Sequence, residues 1–329
     1  MKVINLFNYL SIVIFASFSS CEKEKVVAES SKDYKQEMRN FVIGISEFAK
    51  FQKPSFAIIP QNGIPLVTKD GEVSSTPNSA YLAAIDGHGQ EDLFYGYDSD
   101  NQKTDQQTTN QIKALLNISK NAGNTILVTD YCSTHSKMDD SYALNVANGY
   151  ISFTANRRGL DKIPDYPSVI INENTASVTK LSDAKNFLYL INPDNFNTKQ
   201  DFIHSVTATN YDLIIMDLFF HDGTAFTTVE VAQLRMKANG GERMVVCYMS
   251  IGEAEDYRYY WKSDWSTNKP SWLDKENPDW AGNFKVKYWD KDWQSIMYGN
   301  SSSYLQKVLD ADFDGVYLDI IDAFEFYER

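Results

Sequence analysis

Short apolar runs alternate with amphipathic helical stretches along most of the chain, and several of the runs end in an acid. Continuous apolar runs recurring between helices mark parallel strands that helices cover. These two observations predict an α/β fold, a (β/α)8 TIM-type barrel with one extra strand. The candidate strands are 56–59, 81–85, 125–128, 150–153, 187–191, 213–216, 244–249, 284–288 and 315–318. A doubly wound open sheet is the alternative, and the lack of a Gly-rich phosphate turn opening a helix weakens it.

The elements follow in order. Lys2, an apolar run over 3–16 and Ser17-Phe18-Ser19-Ser20-Cys21 read as a secretory signal, because the run is interrupted and short for a bilayer span. Cys21 after small residues resembles a bacterial lipobox, in which the thiol is acylated and becomes the first mature residue. The expected organisation is a signal peptide and lipobox over 1–21, a polar tether over 22–31 and a single barrel over 32–329. The protein is then an exported cell-envelope lipoprotein, facing the outer membrane or periplasm, with its lipid anchor as its only membrane contact.

A helix over 32–50 follows, with Tyr34, Met38, Phe41, Val42, Ile45, Phe48 and Ala49 at helical spacing and Ser30 or Ser31 as its cap. Further helices are expected at 106–121, 199–208, 227–237 and 302–310. The segment 155–186 lacks periodicity and reads as a linker across one end of the domain.

Composition narrows the chemistry. A net charge of -13 argues against a nucleic-acid partner, which demands a basic footprint. Cys132 and Cys247 each fall in or beside a predicted strand and read as buried free thiols. The 4 histidines show no ligand spacing, so neither a metal nor a cofactor is expected. No Gly-x-Ser-x-Gly elbow is present.

What remains is a set of acids and aromatics near strand ends. Asp319, Asp217 and Asp130 close apolar runs, Gln61-Asn62 closes another, and Glu91 and Glu253 lie just beyond two more. All strand C-termini of a β/α barrel open on one face, so these side chains converge there. One acid at a strand end is more often a cap or an ion pair; six such positions together suggest a pocket. Paired carboxyl groups suit glycosidic hydrolysis, where one protonates the leaving oxygen and the other attacks or stabilises an oxocarbenium-like centre. Tyr95, Tyr248, Tyr257, Tyr317 and Trp289 are candidate platforms for sugar rings.

Five motifs carry a resemblance. They are Val246-Cys247-Tyr248-Met249-Ser250-Ile251-Gly252-Glu253-Ala254-Glu255-Asp256-Tyr257-Arg258, Val286-Lys287-Tyr288-Trp289-Asp290 and Phe313-Asp314-Gly315-Val316-Tyr317-Leu318-Asp319-Ile320-Ile321-Asp322. Two more are Ile59-Pro60-Gln61-Asn62-Gly63 and the segment from Ile85-Asp86-Gly87-His88-Gly89 to Glu91-Asp92-Leu93-Phe94-Tyr95. Together they resemble glycoside hydrolase family 114, the endo-α-1,4-polygalactosaminidase family. In such families the Gln-Asn and Glu-Asp-Leu-Phe-Tyr segments follow the Asp-Gly-Val-Tyr-Leu-Asp strand, whereas here they precede it. The resemblance therefore implies a circularly permuted barrel, with the ancestral ends joined near 155–186 and helix 32–50 supplying the continuation of the Asp319 strand.

The resemblance also implies roles. Asp319 is the nucleophile or stabilising carboxylate and Glu91 the general acid/base, its pKa expected to rise on burial among Leu93, Phe94 and Tyr95. Asp217, Tyr248, Glu253, Arg258, Gln61, Asn62, Asp130, Tyr317 and Trp289 are expected to bind substrate. Glu255 and Arg258, three residues apart, are also placed to pair with each other. The expected activity is retaining cleavage of an α-linked polysaccharide, of amino-sugar type. The alternative is a non-catalytic glycan-binding lipoprotein on the same barrel.

Overall fold

The computed structural model describes residues 32–329; the signal peptide, Cys21 and the 22–31 tether lie outside the described residues. The chain alternates strands and helices. Eight strands run parallel: β1 (Ala57–Pro60), β2 (Gly87–Glu91), β3 (Thr125–Tyr131), β4 (Ile151–Ala155), β5 (Leu188–Tyr189), β6 (Leu213–Met216), β7 (Met244–Ser250) and β11 (Gly315–Asp319). The other three, β8 (Glu253–Glu255), β9 (Leu273–Glu276) and β10 (Asn283–Val286), form a separate antiparallel sheet. The expected extra strand is thus β10 within a three-stranded excursion after β7.

The parallel strands form two sheets, ordered β5-β6-β7-β11-β1 and β2-β3-β4. Backbone bonds from Asp86 N to Ile58 O and from Asn62 N to Gly89 O tie β1 to β2, beside a parallel bridge between Gln61 and Gly89. The larger sheet curls strongly. Tyr189 of β5 reaches Gln61 at the end of β1, its hydroxyl donating to Oε1 at 2.7 Å, and its ring meets Tyr317 of β11 edge-on at 5.2 Å. At the far edges Phe153 of β4 and Phe187 before β5 lie 5.7 Å apart.

Helix α1 (Tyr34–Gln52) begins at Asp33, which caps Gln36 N at 2.9 Å, rather than at Ser30 or Ser31. It buries Met38, Phe41, Val42, Ile45 and Ala49, the i, i+3, i+4 stripe that a helix packed on a sheet requires. Truncating Phe41 to Ala there costs about 3–5 kcal/mol. Helices expected at 106–121, 199–208, 227–237 and 302–310 form at Gln106–Asn121, Lys199–Thr207, Thr228–Leu234 and Tyr304–Asp310. Two more, His135–Asn148 and Lys291–Met297, were not expected. Segment 156–187 holds only a short 3-10 turn and links β4 to β5. Cys132 and Cys247 are buried and free.

One expected strand is a helix. Residues 81–85 fall in a short helix, Ser79–Ala84, because Asn78 accepts a hydrogen bond from Tyr81 N and so nucleates a turn. The strand lies six residues on, in Gly87-His88-Gly89-Gln90-Glu91. Glycine weakens a strand, yet a Cβ at Gly89 would collide with the Tyr317 hydroxyl. Close approach of β11 therefore sets a glycine there, and Glu91 ends β2 instead of following it.

Candidate active site

Strands β11, β1 and β2 are neighbours, and Asp319 and Glu91 close the outer two. Neighbouring strands lie about 4.8 Å apart, which brings two carboxyl groups on either side of β1 within reach of one ligand. Gln61 and Asn62, just beyond β1, occupy the gap between them.

Glu91 is held by amides and a phenol. Gln61 Nε2 donates to Oε2 at 2.7 Å, Asn62 Nδ2 to the same oxygen at 3.1 Å, and Tyr131 OH to Oε1 at 2.5 Å. Asn62 adopts φ 60°, the left-handed region asparagine tolerates, and this aims its side chain back at β2. Its Oδ1 accepts from Glu91 N at 3.0 Å and Gln90 Nε2 at 3.2 Å. Buried His88 secures the same turn through Nε2 and the Asn62 carbonyl, 2.9 Å apart. Burial pushes its pKa down to about 4, so the ring is neutral.

Asp319 accepts from Tyr248 OH at 2.6 Å and from Ile320 N at 2.8 Å. Burial and then the Glu91 charge push its pKa up to about 8, against the pull of the Tyr248 hydroxyl. Two acids that feel each other in a site poor in water do not both ionise readily. No cation touches either one among the described residues.

A cleft of about 400 Å³ opens over Glu91, walled by Asn62, Asp92, Tyr97, Asp322 and Glu325 among others. Asp92 and Asp322 are both pushed up to about 7, chiefly by burial. Tyr97, 56% exposed, stands at its lip as a flat apolar face.

The remaining expected residues separate into neighbours of the acids and parts of the frame. Gln61, Asn62 and Tyr248 touch Glu91 or Asp319. Asp217 and Arg258 are tied to one another: the guanidinium reaches both Asp217 oxygens at 2.8 and 2.7 Å and Glu255 Oε2 at 2.6 Å. The pairing of Glu255 with Arg258 was one of the two readings of the arginine, and Arg258 is buried. Glu253 is buried against Lys285, Asn277 and Asn283. Asp130 is buried too, accepting from Phe94 N, Tyr95 N, Ser141 Oγ and Asn145 Nδ2, so it fixes the turn after β2 rather than facing ligand.

The aromatics need correction as well. Tyr317 is buried over Gly89, Tyr95 is buried with its hydroxyl on Asp140, and Trp289 packs among Tyr34, Tyr288 and Tyr327 away from this cleft. Tyr257 is exposed, but its hydroxyl is engaged by Glu255 at 2.8 Å. Tyr131, Tyr189, Tyr97, Asp322 and Glu325 were missed. Tyr131 was open to discovery, because it follows Asp130 at the end of an apolar run and side chains alternate along a strand.

Comparison with known proteins agrees with the motifs. Residues 172–329 match the model of glycoside-hydrolase family GH114. The chain is 37% identical over 155 residues to an uncharacterized protein of Methanocaldococcus jannaschii, covering 47% of this chain and 42% of that one. It is 40% identical over 127 residues to an uncharacterized protein of Deinococcus radiodurans, covering 39% and 38%. A third, from Thermotoga maritima, is 38% identical over 124 residues, covering 38% and 36%. The matched stretch thus spans only about two-fifths of these relatives. The motifs of 246–258, 286–290 and 313–322 fall inside the family match, and those of 59–63 and 85–95 fall outside it. The similarity to glycoside-hydrolase family GH114 thus covers residues 172–329.

Proposed function

We propose that the protein hydrolyses an α-linked polysaccharide of amino-sugar type, using Asp319 and Glu91 as its two carboxyl groups. The observation that carries this reading is their placement at the ends of strands either side of β1, electrostatically coupled and with no cation on either among the described residues. Glycosidic cleavage needs one carboxyl that holds a proton and one that carries charge. At neutral pH the unliganded site holds its proton at Asp319. A cationic sugar ring seated beside Asp319 favours its ionised form, leaving Asp319 as nucleophile and Glu91 as acid and then base. The mechanism is retaining, with a covalent glycosyl intermediate on Asp319.

Two architectural proposals accompany it. The eight parallel strands close into one barrel over 32–329, supported by the β1–β2 bonds and the meeting of Phe153 with Phe187. The barrel is circularly permuted. In support, β1 pairs parallel with β11, and Tyr34 at the start of α1 stacks on Tyr327 near the last residue at 5.6 Å. A chain with residues 329 and 33 joined and reopened near 170 should fold and keep its activity; failure to fold would remove the permutation. Export as a lipoprotein anchored through Cys21 also remains part of the proposal, tested by loss of membrane association in Cys21→Ser.

The functional test is incubation of residues 32–329 with a panel of amino-sugar and neutral polysaccharides, with mass-spectrometric detection of products. Shortened chains are expected from the wild type, with none from Glu91→Gln or Asp319→Asn. Equal turnover by these variants would overturn the assignment. NMR of the first-formed anomer should show retention.

A further inference from the structure

A second cleft, of about 350 Å³, adjoins the first, and the two share Asp322 and Glu325 as a common wall. Glu91 lines one and Trp280 the other, so a chain lying over Glu91 passes Asp322 and meets the β9–β10 turn.

Trp280 is unlike the other tryptophans. Trp261, Trp265, Trp272, Trp289 and Trp293 each pack against another aromatic ring, at 4.7–5.0 Å in their nearest pairs. Trp280 has no ring neighbour among the described residues and is 58% exposed. Its turn is nevertheless well built. Trp280 N donates to Asn277 O at 3.3 Å, Asn283 N to Trp280 O at 3.1 Å, and Asn277 N to Asn283 O at 2.7 Å. Asn277 Nδ2 and Lys285 in turn anchor the hairpin on buried Glu253. A large flat apolar face held in solvent beside a polar cleft is the arrangement that receives a ligand with one apolar face and polar edges.

The polar lining fits the same ligand. Lys275 and Lys285 line it together with Asp322 and Glu325. Neither of those two carboxylates has a hydrogen bond or salt bridge to a side chain among the described residues. Donors and acceptors along one cleft suit a sugar ring that bears hydroxyl and amino groups.

We propose that the cleft lined by Trp280 is a second sugar subsite, in which the indole stacks on a pyranose ring of the chain beyond the bond that Glu91 and Asp319 cleave. It rests on the hydrolase reading and extends it: affinity for long chains comes from a place remote from the reacting acids. Binding energy gained there favours long chains and sets where along the chain the cut falls.

The test compares Trp280→Ala and Trp280→Phe with wild type on a polysaccharide that the wild type cuts, and on the shortest oligosaccharide it still cuts. On the polymer, kcat/KM should fall about tenfold in Trp280→Ala and recover in part in Trp280→Phe, and the product ladder should shift. On the shortest substrate the three proteins should match, which also shows the variants to be folded. Wild-type kinetics and an unchanged ladder for Trp280→Ala on the polymer would overturn the subsite while leaving the hydrolase reading intact. If the wild type cuts nothing, affinity electrophoresis through polysaccharide-loaded gels separates the cases. Retardation that depends on Trp280 keeps the subsite and overturns hydrolysis, and its absence or independence of Trp280 overturns the subsite too.

Discussion

Two groups of acids gather near the ends of the parallel strands, and their partners differ in kind. Asp217 and Glu255 share Arg258, and Glu253 closes on Lys285, so each of these acids has a cationic partner. Glu91 and Asp319 receive only amides, phenols and a backbone N–H. A carboxylate locked on a cation is committed to that pairing and serves the frame. One held only by neutral donors keeps its orientation and can still exchange a proton. The same residue type at similar strand positions thus builds scaffold in one place and a reactive pair in the other.

The comparison sharpens first on turnover. Glu91→Gln and Asp319→Asn should each lower kcat by about a thousandfold or more with little loss of folding, measured as product release beside a thermal melt. Arg258→Met should do the reverse. It strands Asp217 and Glu255 as buried unpaired charges, at a cost of about 3–5 kcal/mol in a denaturant titration. Should Arg258→Met melt like wild type yet lose turnover, the division into frame and reactive pair fails.

Donor removal comes next. Tyr131→Phe deletes one charge-assisted hydrogen bond to Glu91, worth about 1.5–3 kcal/mol, and should cost tenfold or more in kcat/KM. Tyr248→Phe removes a donor that holds Asp319 down. The acid limb of the pH–rate profile should therefore move to higher pH.

The smallest effect is on stability. A carboxyl group whose folded pKa stands above its unfolded value binds more protons in the folded state between the two values. Asp319 therefore contributes stability that falls as pH rises from about 4 to about 8, with Asp92 and Asp322 adding to the fall up to about 7. Asp319→Asn should melt above wild type at pH 8 and close to it at pH 4.

Much of the frame was legible because apolar runs such as Leu213–Met216 and Gly315–Leu318 carry their own signal. The strand bearing Glu91 was not, since Gly87 and Gly89 lower its β-propensity and its glycine requirement comes from Tyr317, far away in sequence. Periodicity reports what a segment buries, not what another strand presses against it. The site followed the same division. Asp319, Glu91, Gln61, Asn62 and Tyr248 were readable as strand-end polar residues. Asp130, Glu253 and the Asp217–Arg258 pair looked alike in sequence and were separated only by their partners in space. Trp280 sits on a turn, and Asp322 in a short 3-10 helix (Ile321–Ala323), whose places beside the cleft nothing local encodes.

The pairing of the two acids can be measured directly. In protein labelled with carbon-13 at aspartate carboxyls, the Asp319 resonance, assigned by its loss in Asp319→Asn, should titrate near pH 8. In Glu91→Gln the same resonance should titrate lower, because the charge that holds it up is gone. An Asp319 titration near pH 4 that Glu91→Gln leaves unmoved would show that the two carboxyls do not meet across β1.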